Sequence, residues 1–134
     1  MLSQKESAER GCVFLCFNFQ AFSAFATKAY RELGENSYTL EEVLSVFRYY
    51  FEKYEEYRGE PHPNLRLEQI KRIIQIMPYL DKNFLSGACS DIDADCYPAL
   101  IDQHFQTEYR QCDYRINHFF SGCIRELRFY ETCY

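Results

Sequence analysis

Apolar residues recur along this chain at spacings of three and four, the period of a helix with one buried side. From Gly11, Leu15, Phe19, Phe22, Ala26, Ala29 and Leu33 share such a side, and Phe14, Phe17 and Phe25 widen it almost to the full circumference. A helix apolar all round is expected to be buried. Gly34 stops it. Thr39 and Glu42 then form a capping box, with Tyr38 placed to staple onto Val43. The face that follows is Leu40, Val43, Leu44, Phe47, Tyr50, Phe51 and Tyr54. Tyr49 falls off that face, beside Glu42, Lys53 and Glu56.

Pro61 and Pro63 break the second helix. Asn64 is expected to cap a third, with the stripe Leu67, Ile70, Ile73, Ile74 and Met77, ending near Pro78. Residues 81–92 read as a loop. A fourth helix is expected to start among Asp93 and Asp95, where carboxylates favour a helix N-terminus and Pro98 fits the first turn. It turns Tyr97, Ile101, His104 and Phe105 inward. After a turn at Arg110, Gln111 and Cys112, Asp113 caps a fifth helix with the stripe Ile116, Phe119, Phe120, Cys123, Leu127 and Tyr130, kinked at Gly122.

This is the outline of an all-α fold, a single compact domain of about five helices over residues 1–134, with a flexible N-terminus (1–10) and loop (81–92). Composition agrees. The chain has twelve Phe, twelve Tyr and no Trp, and only five Gly and four Pro, too few for the many tight turns of an all-β fold. At 134 residues it can bury roughly two thirds of its unfolded surface.

Charge and cysteine usage narrow the function. Fifteen basic and twenty acidic residues give a net charge of −5, which disfavours sequence-independent gripping of nucleic acid, an affinity built on phosphate neutralisation. Seven cysteines are an odd number for a paired secreted scaffold, so reduced thiols in the cytoplasm are expected. The uncharged stretch from Gly11 to Thr27 is short for a membrane span, at about 17 residues against the usual ~20. No membrane partner is expected.

Several constellations carry possible chemistry. Cys96, Cys112, His118 and Cys123 offer thiolates and an imidazole for a structural zinc, although no Cys-x-x-Cys knuckle is present. Asp91, Asp93 and Asp95 alternate as in a calcium loop, but Cys96 stands where that loop requires glycine. Cys112 or Cys123 with His118 and Asp113 could be drawn as a nucleophile set. No glycine-rich phosphate loop, serine elbow or His-Glu-x-x-His pair is present, and no enzyme activity is expected. Residues 97–131 also outline a helix-turn-helix that would offer Arg115, Asn117, His118, Arg125 and Arg128 to a nucleic acid.

The reading these patterns favour is a small, non-catalytic cytoplasmic protein, an inhibitor or accessory factor without cofactor. It would bind another protein through an acidic, tyrosine-bearing surface made of Tyr49, Glu56, Asp91, Asp93 and Asp95. Its size resembles that of accessory proteins carried by phages and mobile elements. A helix-turn-helix regulator and a zinc-stabilised binding module are the alternatives.

Overall fold

Helix α1 (Phe19–Leu33) begins where Asn18 Oδ1 accepts the N–H groups of Gln20 and Ala21, at 2.8 and 3.2 Å. These bonds come from a computed structural model, which describes residues 18–79, 92–121, 124, 125, 127 and 128. The expected start at Gly11 and most of the loop 81–92 lie outside the described residues. Within them the chain is all-α. Helix α2 spans Leu40–Arg58, α3 Leu67–Ile76, α4 Tyr97–Gln106 and the short α5 Ile116–Phe119, with a 3-10 turn at Ala94–Cys96 leading into α4.

The capping box of α2 is present as read. Thr39 Oγ1 accepts the Glu42 N–H at 3.1 Å, and Glu42 Oε1 accepts the Thr39 N–H at 2.9 Å. Gly59 closes α2 in the left-handed conformation, at φ 78°, which a residue without Cβ adopts freely. Helix α3 departs from expectation at its start. Arg66, not Asn64, is the N-cap, and the Gln69 side chain accepts its N–H at 2.8 Å.

Helix α1 packs on α2 and α3, and α4 packs on α2. Phe22 inserts between Phe47 and Phe51, with ring centroids 4.9 Å from each. Tyr50 meets Phe105 at 5.0 Å and Phe119 at 5.3 Å, which brings α5 onto the α2–α4 layer. The inward face of α4 contains Tyr97, Ile101, His104 and Phe105 as expected, and Leu100 besides. The first helix is not buried all round: Phe25 is 60% exposed.

Buried and half-buried phenols tie the connections to this frame. Tyr30 Oη donates to the Tyr38 carbonyl at 2.6 Å, Tyr38 Oη to that of Ile92 at 2.5 Å, and Tyr50 Oη to that of Tyr114 at 2.6 Å. Tyr97 Oη donates to the Met77 carbonyl. Each bond satisfies a phenol in an apolar layer and a backbone carbonyl that lacks a helical partner. Burial pushes the Tyr38 and Tyr50 hydroxyls far up, so both stay protonated donors.

The C-terminal third differs most from the pattern. Residues 107–115 separate α4 from α5, with Gln111 and Tyr114 at φ 60° and 62°. Tyr114 is held in that unfavourable region on several sides. Its hydroxyl donates to the Thr107 carbonyl at 2.6 Å and accepts the Tyr109 N–H at 2.8 Å, while its carbonyl receives Tyr50. Asp113 Oδ1 accepts the Arg115 N–H at 2.9 Å and so shapes the turn before α5; Arg115 is the N-cap.

Candidate functional site

Glu42, Tyr49 and Glu56 are spaced by sevens and share one side of α2, while Asp95 and Asp102 stand seven apart on the segment packed against it. Tyr49 joins the two. Its hydroxyl donates to Asp102 Oδ1 at 2.6 Å, and burial, then the Asp102 bond, push it up to about 12. Lys53 lies 5.5 Å from the Tyr49 ring centroid and 3.4 Å from Glu56 Oε1. Tyr49 is therefore a half-buried member of a polar seam.

At the N-terminal end of α2 the seam widens into a cleft of about 480 Å³ lined by Glu42, Asp93 and Asp95 together with Tyr38 and Tyr79. Asp93 and Asp95 are exposed, and Tyr79 is 49% exposed. No basic residue lines this cleft among the described residues. Asp91 lies outside them. Asp102 sits on α4 and is bonded to Tyr49.

The arginines of the helix-turn-helix outline are placed differently from that reading. Arg115 is exposed, and Asn117 and His118 are half-buried, but Arg125 and Arg128 are 5% and 3% exposed. Arg125 Nη1 donates to the Ile76 carbonyl at 2.5 Å and to Tyr97 Oη at 3.0 Å, and Nη2 donates to the Tyr79 carbonyl. Its guanidinium thus meets the carbonyls at the C-terminal end of α3, where a helix concentrates negative partial charge. Arg128 stacks on Tyr109, 3.6 Å from the ring centroid, and donates from Nε to His104 Nδ1 at 2.9 Å. These two side chains are core contacts and do not form a face with Arg115.

The zinc set falls only partly within the described residues. Cys96 belongs to the 3-10 turn and Cys112 to the connection before α5, while Cys123 lies outside the described residues. Among the described residues no group of three or more His, Cys, Asp or Glu side chains is disposed to hold a metal ion. Cys112 Sγ does approach an imidazole, but it is His104 Nε2, at 4.0 Å, not His118. Because Nδ1 of His104 accepts from Arg128, the neutral ring carries its hydrogen on Nε2 and offers the sulfur a donor. Burial, then Arg128, then His118 hold that imidazole down at about 3, and burial pushes the Cys112 thiol up. The lone pair a thiol proton would need is already occupied.

Sequence reasoning placed Tyr49, Glu56, Asp91, Asp93 and Asp95 on one surface and did not include Glu42, Tyr79 or Asp102 in it. The seven-residue spacing from Glu42 to Glu56 was a legible signal. The Tyr49–Asp102 bond was not, since it depends on how α2 packs against α4. Comparison with family models, curated proteins and solved structures gives no match to this chain.

Proposed function

We propose that this protein acts without catalysis by binding another protein through the α2–α4 seam, and that the partner presents a basic surface. The observation that carries this reading is the run of Glu42, Asp93, Asp95, Asp102 and Glu56 along one side of the molecule, with Lys53 the cation among them. Like charges held together on a rigid helix pair repel one another, and an arginine- or lysine-rich surface relieves that repulsion. Tyr49 and Tyr79 add aromatic surface of the kind that anchors interfaces. A groove that ordinarily holds nucleic acid has the matching charge, so an inhibitor or accessory role follows naturally from the acidic face. The burial of Arg125 and Arg128 favours this reading over a helix-turn-helix regulator.

The test is site-specific photo-crosslinking. A photoreactive residue at the exposed Ala99 of α4 is expected to capture a basic protein from the source extract. Capture should weaken with added salt and disappear when Asp93→Asn, Asp95→Asn and Glu56→Gln are combined. Unchanged capture by the neutralised variant would assign the contact to another face.

A further inference from the structure

His62 forms part of the lining of a cleft of about 180 Å³ together with Phe19, Arg48, Phe51, Glu52 and Glu55. It is 2% exposed, and the rings of Tyr54 and Phe51 stand 4.6 and 4.8 Å from its own. Both nitrogens are used in the neutral form. Nε2 accepts the Ile116 N–H at 2.9 Å, so Nδ1 carries the hydrogen and donates to the Pro63 carbonyl at 2.7 Å. Ile116 is the first residue of α5, whose N–H has no acceptor within its own helix. A side chain from the loop between α2 and α3 thus caps α5 from outside it.

We propose that His62 is an acid-released latch: protonation at Nε2 removes the lone pair that holds the Ile116 amide and frees residues 114–121 from the α2–α4 layer while α1, α2 and α3 stay folded. A protonated ring would set N–H against N–H at the point where the segment is fastened. The groups around the ring set the balance. From α2 it meets the uncharged rings of Tyr50, Phe51 and Tyr54, with Arg48, Glu52 and Glu55 also lining the cleft, as does Phe19 from α1. From the connection before α5, Arg115 opposes protonation and Asp113 favours it. Burial is the largest influence and holds the imidazole down at about 4, with the Pro63 carbonyl working the other way. Glu52 and Glu55 give a proton a carboxylate-lined route from solvent to the ring.

Hydrogen exchange of the full chain, followed from pH 7 to pH 3.5 and corrected for intrinsic rates, tests the latch. The amides of Ile116, Phe119 and Phe120 are expected to lose protection at a higher pH than those of Val46 and Phe47 in α2, by about tenfold for each pH unit over the titration. In His62→Gln, whose side-chain oxygen accepts without titrating, α5 should stay protected to lower pH. Loss of α5 and α2 protection together at one pH would overturn the proposal, and wild-type protein alone decides this if the variant does not fold. Release of α5 in His62→Gln at the wild-type pH would also overturn it.

Discussion

Phe47 and Tyr49 are two residues apart on α2, and their surroundings differ completely. Phe47 is fully buried against Phe22 and Phe51; Tyr49 is half-buried, with its hydroxyl on Asp102. Deleting a buried ring costs both transfer free energy and the cavity left behind. Phe47→Ala is therefore expected to destabilise by about 3 to 5 kcal/mol, whereas Tyr49→Phe removes one partly exposed hydrogen bond and should cost about 1 kcal/mol. Thermal melts of the two variants check the order, and a larger loss for Tyr49→Phe would contradict the packing described for α2. At the same scale, Cys112 shows how a suggestive pair can be inert. A thiol beside an imidazole gains nothing as a nucleophile when Arg128 holds the ring's lone pair.

Among the elements, α3 depends most on a residue far from it in sequence. Its stripe of Ile70, Ile73 and Ile74 was evident from periodicity, as was its end before Pro78. What caps that end is Arg125, through the carbonyls of Ile76 and Tyr79. Arg125→Met keeps much of the side-chain volume but leaves these carbonyls without their charged donor. We expect a loss of about 2 to 4 kcal/mol, read by chemical denaturation, together with earlier amide exchange toward the C-terminal end of α3. Helix α2 makes the contrast, since its capping box lies wholly within its own sequence and was readable there. The start of α3 was misread because Asn64 and Arg66 both precede the apolar stripe, and only the Gln69 contact selects between them.

Acid should weaken the molecule as a whole. His62 and His104 are held neutral, at about 4 and about 3, chiefly by burial, and an imidazole in the unfolded chain titrates near 6.5. Below that value the unfolded state binds more protons than the folded one, so stability is full above about pH 6.5 and falls as pH drops toward the folded values. Each histidine contributes at most about 1.4 kcal/mol per pH unit to that fall. Melting temperatures between pH 7 and pH 4 are expected to decline, and His62→Gln should show a shallower slope than wild type. A slope unchanged by the substitution would mean that His62 titrates alike in the folded and the unfolded chain.

The all-α class, the α2 capping box and the inward stripes of α2, α3 and α4 were determined by the sequence alone, because periodicity and capping are local properties of a few consecutive residues. The acidic character of the candidate face was equally legible in composition. Tertiary structure alone decided the rest. Whether Arg125 and Arg128 meet solvent or carbonyls depends on residues 24 to 49 positions away, and no local pattern separates an arginine that binds phosphate from one that caps a helix. Tyr49 looked exposed from its angle on α2 and was drawn in by Asp102 across the α2–α4 contact. Where α5 begins followed from the same cause, since Tyr50, His62 and Tyr114 fix the chain at its start through bonds that periodicity does not record.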